Sequence, residues 1–156
     1  MPTGDSLPQD ERTLVLPGAT PAEASFLLAA RVGHLATTDA EGRPHVVPIC
    51  FAVANHCIYT PLDQKPKRVA VDRLKRVRNI RANPSVCLVV GRYSEDWSEL
   101  AWLQVRATAS ILAAGNAEHE TAVAALRRRY WQYAEMRIED RPVVRLFPLR
   151  YVSWGL

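Results

Sequence analysis

Apolar residues along the chain fall into two spacings, and the changes between them outline the elements. Thr20-Pro21-Ala22-Glu23 has the form of a helix start. Thr stands at the N-cap, Pro at the first helical position, and Glu three residues after the Thr completes a capping box. The pattern predicts a helix over residues 21–31, stopped by Gly33, with Phe26, Leu27 and Ala30 toward the core. Residues 34–38 have strand composition, Asp39-Ala40-Glu41-Gly42 reads as a turn, and 43–53 as a second, longer strand. Asn55-His56 reverses the chain and 57–60 return. Along the longer strand, Val47, Ile49, Phe51 and Val53 share one face, while Val46, Pro48, Cys50 and Ala52 share the other. Both faces are apolar, so the strand should be covered on both sides, by a barrel interior on one and a helix or a second subunit on the other.

Residues 65–82 carry Ala70, Leu74, Val77, Ile80 and Ala82 at helical spacing, with basic residues filling the rest of the wheel, and Asn83-Pro84 ends the run. Residues 85–92 are β-prone, 93–99 form a polar loop, and 100–113 make a long strand. Gly115-Asn116 precedes a helix over 117–136, and 143–154 supply a final strand. The first dozen residues read as a flexible lead-in to one domain spanning 1–156. The order is α-β-β-β-α-β-β-α-β: strands joined by hairpins with helices interspersed. That favours an antiparallel sheet or small barrel of the α+β, mainly β, class. A doubly wound parallel fold would need a helix between most strands.

Composition narrows the reading. The chain has 156 residues, 48% of them hydrophobic, enough for one core and too few for two ordinary domains. No apolar run approaches the roughly 18 residues of a membrane span. MPTGDSLPQDER lacks the basic start and apolar stretch of a signal peptide, so a soluble, cytoplasmic protein is expected. The three cysteines sit in apolar strand contexts without C-x-x-C spacing, which suits reduced core thiols better than a disulfide, a zinc site or a nucleophile.

Charge changes the picture more. Residues 65–81 hold eight basic residues and one acid, a local +7 within a total of +4, so the other 139 residues sum to −3. A local anion is the expected partner, either a phosphate group or a nucleic acid backbone. Dinucleotide, P-loop and nucleophile-elbow motifs are absent, and His34, His45, His56 and His119 have no metal-ligand spacing. His34 and His45 read as strand histidines with a local hydrogen bond. The segment Tyr59-Thr60-Pro61-Leu62-Asp63-Gln64-Lys65-Pro66-Lys67-Arg68 stands out. A strand ends in a hydroxyl residue, then a short loop delivers Lys65, Lys67 and Arg68 to a helix start, where free N–H groups and cations together suit a phosphate. Cations in a helix's first turn oppose its dipole by a few tenths of a kcal/mol unless an anion compensates.

The run Arg31-Val32-Gly33-His34-Leu35-Ala36-Thr37-Thr38-Asp39-Ala40-Glu41-Gly42-Arg43-Pro44-His45-Val46-Val47-Pro48-Ile49, with Ile58-Tyr59-Thr60, Lys65-Pro66-Lys67-Arg68 and Arg78-Asn79-Ile80-Arg81-Ala82-Asn83-Pro84, resembles the pyridoxamine 5′-phosphate oxidase-like flavin/deazaflavin split-barrel superfamily. Tyr93-Ser94-Glu95-Asp96-Trp97 and Trp102-Leu103-Gln104-Val105-Arg106 resemble its deazaflavin-dependent branch. The resemblance implies a six-stranded antiparallel split β-barrel with flanking helices. It further implies a homodimer with two cofactor sites between the subunits. Val47, Pro48 and Ile49 would lie along the cofactor ring and offer it backbone groups. Tyr59, Thr60 and Pro61 would approach the ring and ribityl chain, Lys65, Lys67 and Arg68 would anchor the phosphate, and Trp102 and Gln104 would reach the other subunit's cofactor. The chain departs from the oxidase itself in its short C-terminal segment and in Cys50-Phe51-Ala52, apolar where the oxidase carries a lysine, so vitamin B6 oxidation is not expected.

The leading expectation is an oxidoreductase moving hydride between a deazaflavin coenzyme, or FMN, and a small conjugated substrate, with the cofactor carrying the chemistry. The long basic stretch favours the deazaflavin with its acidic tail. No side chain need be an acid or base; where a proton donor is required, His45, Tyr59 and Tyr93 are the candidates by sequence, with water as the equal alternative. The rival readings are a non-catalytic flavin or haem carrier, and nucleic-acid binding through residues 65–81.

Overall fold

A computed structural model describes residues 16–62 and 70–156. Helix α1 spans Pro21–Ala29 and opens with the full capping box: the Thr20 N–H donates to Glu23 at 2.9 Å and the Glu23 N–H donates to Thr20 Oγ1 at 3.2 Å. It ends two residues short of Arg31, because Ala30 is already extended. Gly33 does not stop the helix; it is the first residue of strand β1, Gly33–Thr38. A Cβ there would lie 2.7 Å from Leu88 Cδ1 and 3.3 Å from Phe51 Cε1, so this position needs glycine for close packing.

The expected turn joins β1 to β2, Pro44–Ile49, in a hairpin whose register runs from Thr38 opposite Pro44 to Gly33 opposite Ile49. Asp39 organises it by accepting from the Glu41 and Arg43 N–H groups, and Gly42 supplies a φ of +79°. The single strand expected over 43–53 is in fact two. It breaks at Cys50-Phe51, and β3 occupies Ala52–Ala54. Asn55 and His56, with φ of 47° and 63°, make the two-residue turn into β4, Cys57–Pro61, where left-handed geometry matches the strand twist. Strands β5, Ser85–Arg92, β6, Ala101–Leu112, and β7, Val143–Trp154, follow.

Two helices are shorter than their periodicity implied. A 3₁₀ turn at Val71–Arg73 and an extended Leu74 precede α2, which spans Lys75–Ala82, so the α-helix does not run continuously from residue 65. Helix α3 spans Ala117–Arg129 rather than 117–136; it is capped by Asn116, and Tyr130 leaves the helical conformation before a 3₁₀ turn at Trp131–Ala134.

The seven strands form one antiparallel sheet in the order β2-β1-β5-β6-β7-β4-β3. Its two edge strands, β2 and β3, are separated in sequence by Cys50 and Phe51 alone, so the sheet must curl until its edges approach. They do not pair, and the curled sheet stays open along a seam. There are seven strands rather than six because the 43–53 segment crosses that seam.

Leu35, Phe51, Ile58, Leu88, Leu103, Val105 and Leu146 fill the interior, joined by Leu27 of α1 and Val77 and Ile80 of α2. Burying a side chain such as Phe51 contributes roughly 1.5–3 kcal/mol. Outside, α3 covers β3 and β4 through Ala122, Val123 and Leu126 against Ala52, Cys57 and Tyr59. Among the described residues, no helix covers the rest of the outer face. One cross-strand row runs Pro48, His34, Val89, Gln104, Val152, and beside it another runs Val46, Ala36, Cys87, Arg106, Arg150. Val46 is 57% exposed, Trp102 40% and its cross-strand neighbour Trp154 52%. Of the two covers expected for the outer side of the 43–53 strand, no helix among the described residues lies over β2. Among the described residues no helix is long and apolar enough to cross a membrane.

Candidate functional site

The seam is where this fold leaves backbone unpaired. Strand β2 pairs with β1 alone, and β3 covers β4 only from Cys57 to Tyr59, leaving Thr60 and Pro61 bonded to β7 on one side and open on the other. The ends of β2 and β4 thus flank a gap with no strand between them. A cavity of about 230 Å³ fills it, lined by Val32, Val47, Pro48, Ile49, Cys50, Thr60, Pro61, Arg76 and Tyr133. Its walls are mainly apolar, its backbone edge is available to a planar heteroatom-bearing ring, and among the described residues its one charged lining side chain is a cation.

Five of the sequence-derived site residues meet here: Val47, Pro48 and Ile49 from β2, Thr60 and Pro61 from β4. Tyr59 does not join them. Period-two alternation turns it outward beneath α3, fully buried, with its hydroxyl donating to Glu118 at 2.8 Å. Burial first, and then the Glu118 carboxylate, push that phenol far above its ordinary value, and its hydroxyl is directed to Glu118 rather than to the seam. Glu118 also accepts from Arg145 at 3.2 Å, closing a structural network on the α3 side. Trp102 and Gln104 lie on β6, on the bare outer face and away from the cavity of their own chain. Lys65, Lys67 and Arg68 lie outside the described residues, as does the loop and helix entry proposed for them.

Arg76, Cys50, Val32 and Tyr133 are cavity residues that the sequence did not single out. Arg76 was one of eight bases on a helical wheel, and only the true start of α2 at Lys75 shows which base turns to the seam. The described part of the basic segment is not an unbroken cationic face. Lys75 pairs with Asp39 at 3.0 Å, Arg81 pairs with Asp72 at 2.8 Å, and Arg76 lines the cavity.

The other candidates resolve individually. His34 is exposed on the outer face. His45 is half-buried on β2 with Nδ1 lacking a hydrogen-bond partner, contrary to the local bond expected for it. His119 is buried with Nε2 2.6 Å from the Arg141 carbonyl. The cysteines are free thiols, and burial raises the titration of Cys57 and Cys87. Tyr93 is exposed and donates to Glu95 at 3.1 Å. Among the described residues no three His, Cys, Asp or Glu side chains gather as metal ligands.

The family model for pyridoxamine 5′-phosphate oxidase matches residues 19–155. The chain belongs to that family. Its fold recurs in solved structures. The conserved hypothetical protein Rv2991 from Mycobacterium tuberculosis is similar at a TM-score of 0.69 and 22% identity over 87% of this chain and 84% of that one. HutZ, the heme storage protein from Vibrio cholerae, gives 0.66 and 19% over 86% and 92%. An FAD-binding protein from Mesorhizobium loti gives 0.64 and 19% over 86% and 94%. At these identities the likeness is one of fold. No curated protein matches the chain.

Proposed function

We propose that this member of the pyridoxamine 5′-phosphate oxidase family binds a flavin-type cofactor at the seam and acts as an oxidoreductase on a small conjugated substrate. The observation that carries the reading is the convergence of Val47, Pro48, Ile49, Thr60 and Pro61 on one apolar cavity that, among the described residues, has Arg76 as its lining charge. The unpaired edge of β2 supplies backbone donors and acceptors for the rim of a planar ring. Arg76, together with Lys65, Lys67 and Arg68, supplies positive charge for a phosphate. When bound, such a cofactor supplies hydride transfer. This chain's own residues bind and orient it, and the apolar lining of Val32, Val47 and Ile49 excludes water from the ring.

The cavity of one chain, about 230 Å³, falls below the roughly 300 Å³ at which small-molecule sites begin. A homodimer would enlarge it, with Trp102 and Gln104 of the bare outer face approaching the second chain's ring. Between cofactors, the +7 stretch favours the deazaflavin coenzyme with its acidic tail over FMN. HutZ makes haem storage the rival reading. Against it, no histidine lines the cavity, and Cys50 and Tyr133 are the lining side chains that could ligate iron.

Absorbance and fluorescence titration of the purified full chain with the deazaflavin coenzyme, FMN and haem tests this reading. Saturable binding of one deazaflavin or flavin per chain, weakened at least tenfold by Arg76→Ala, is the expected result. A Soret band from haem with no flavin or deazaflavin binding would replace the redox reading with the carrier.

A further inference from the structure

A second cleft, of about 480 Å³, lies where the C-terminal ends of α1 and α3 meet over β3. Its apolar lining comes from Leu28, Ala52, Val53 and Ala125, and among the described residues its charged lining is Arg31, Arg128 and Arg129, with no carboxylate. The sequence run Arg127-Arg128-Arg129 looks like a uniform solvated face, yet its members part company. Arg127 is paired with Glu139 at 2.5 Å and donates to the Tyr133 and Met136 carbonyls. Arg129 ties the two helix ends together by donating to the Ala30 carbonyl and, at 3.2 Å, to the Tyr130 hydroxyl. Arg128 is exposed, with no ion pair or hydrogen bond to the described residues, and Arg31 is held only by its stack on the Tyr130 ring, 4.5 Å from the centroid.

The carbonyl end of α3 accounts for basic residues in its last turn. It does not account for Arg31, which stands in the extended chain beyond α1 and still lines the same cleft. Three guanidinium groups gathered with no carboxylate among the described lining residues form an incomplete charge arrangement. Tyr130 makes it a rigid one, since its hydroxyl accepts from the Phe51 N–H at 3.1 Å and lies within hydrogen-bond reach of the Arg31 and Phe51 carbonyls.

We infer that the α1–α3 cleft is a second binding site, separate from the seam, for a small organic phosphate. The phosphate bridges the Arg31 and Arg128 guanidinium groups, and the apolar body lies over Leu28, Ala52 and Ala125. A phosphate suits two forks on different elements because its oxygens accept from several directions, whereas a carboxylate satisfies one fork in one plane. The volume lies within the range of small-molecule pockets and exceeds what a bare phosphate fills, so the ligand carries a body. Arg129 is a positioning residue that keeps the helix ends at the required spacing.

Calorimetric titration of the full chain at low ionic strength with phenyl phosphate, inorganic phosphate and phenol tests the site. Phenyl phosphate should bind once per chain, inorganic phosphate more weakly and phenol not at all. Arg31→Ala with Arg128→Ala should weaken phenyl phosphate at least tenfold, Arg128→Ala alone should weaken it without moving the melting temperature because that side chain is exposed, and Arg76→Ala should leave the affinity unchanged. Absence of saturable binding overturns the proposal. So does binding that survives the double substitution or depends on Arg76 instead.

Discussion

Asp39 shows how much one side chain in a turn can hold. Its side chain is 10% exposed. Oδ1 accepts from the Glu41 and Arg43 N–H groups, at 3.1 and 2.9 Å, while Oδ2 accepts from Arg43 Nε at 2.8 Å and Lys75 Nζ at 3.0 Å. These bonds, Arg43's first among them, hold the carboxyl well below the usual carboxylate range. A group whose folded pKa lies below its unfolded value stabilises fully above the unfolded value, about 4 here, and loses that contribution as pH falls toward the folded one. Urea unfolding at descending pH should therefore show Asp39→Asn less stable than the parent at pH 7, with the gap closing below about pH 4. A gap independent of pH would mean that the ionised carboxylate contributes nothing. The same cluster shows what residue-level reading can and cannot do. The sequence argument held that a cation in a helix's first turn calls for an anion. Lys75, the first residue of α2, obeys that rule through Asp39, a side chain 36 positions away that local sequence does not connect to it. Tyr59 and Thr60 illustrate a second limit: alternation says that they face opposite ways, but only the packing of α3 decides which of them faces out.

Elements were most legible where local chemistry punctuates the chain. The Thr20 capping box, the Asp39–Gly42 turn, the Asn55-His56 reversal, and strands β5 and β7 fall where the sequence puts them. The breaks that define the site carry no such punctuation. Cys50-Phe51 has neither glycine nor proline, and the strand stops there because the chain must cross from one sheet edge to the other. Helix α3 stops at Arg129 because Tyr130 is drawn to the Phe51 backbone, a contact 79 residues away. Helix α1 is held at both levels. Its cap is local, but Glu23 also accepts from Ser153 Oγ at 2.8 Å, joining the helix start to the end of β7. Thr20→Ala removes the cap acceptor, and denaturant unfolding should show a loss of about 1 kcal/mol, the usual cost of an N-cap. A loss near zero would mean that the Glu23–Ser153 contact alone fixes the helix start.

For the molecule as a whole, the uneven coat of the sheet matters most. Helix α3 shields β3 and β4, while the opposite flank exposes Val46, Trp102 and Trp154 together with half-buried Val89 and Val152. Exposed apolar side chains gathered on one sheet face are a feature of interaction surfaces. Its edge strand, β2, is the one that borders the seam, so whatever covers the face also closes the cavity that one chain leaves near 230 Å³. We propose a second copy as the cover, since a two-fold pairing of this face would set each chain's β6 against the other's β2. Val46→Glu would force a carboxylate into that contact at a cost of several kcal/mol, while in the free chain it faces water and should leave folding intact. Sedimentation velocity at micromolar concentration should find the parent dimeric and Val46→Glu monomeric, with cofactor affinity falling in step. A parent chain that sediments as a monomer while retaining tight cofactor binding would break the link between the bare face and the seam.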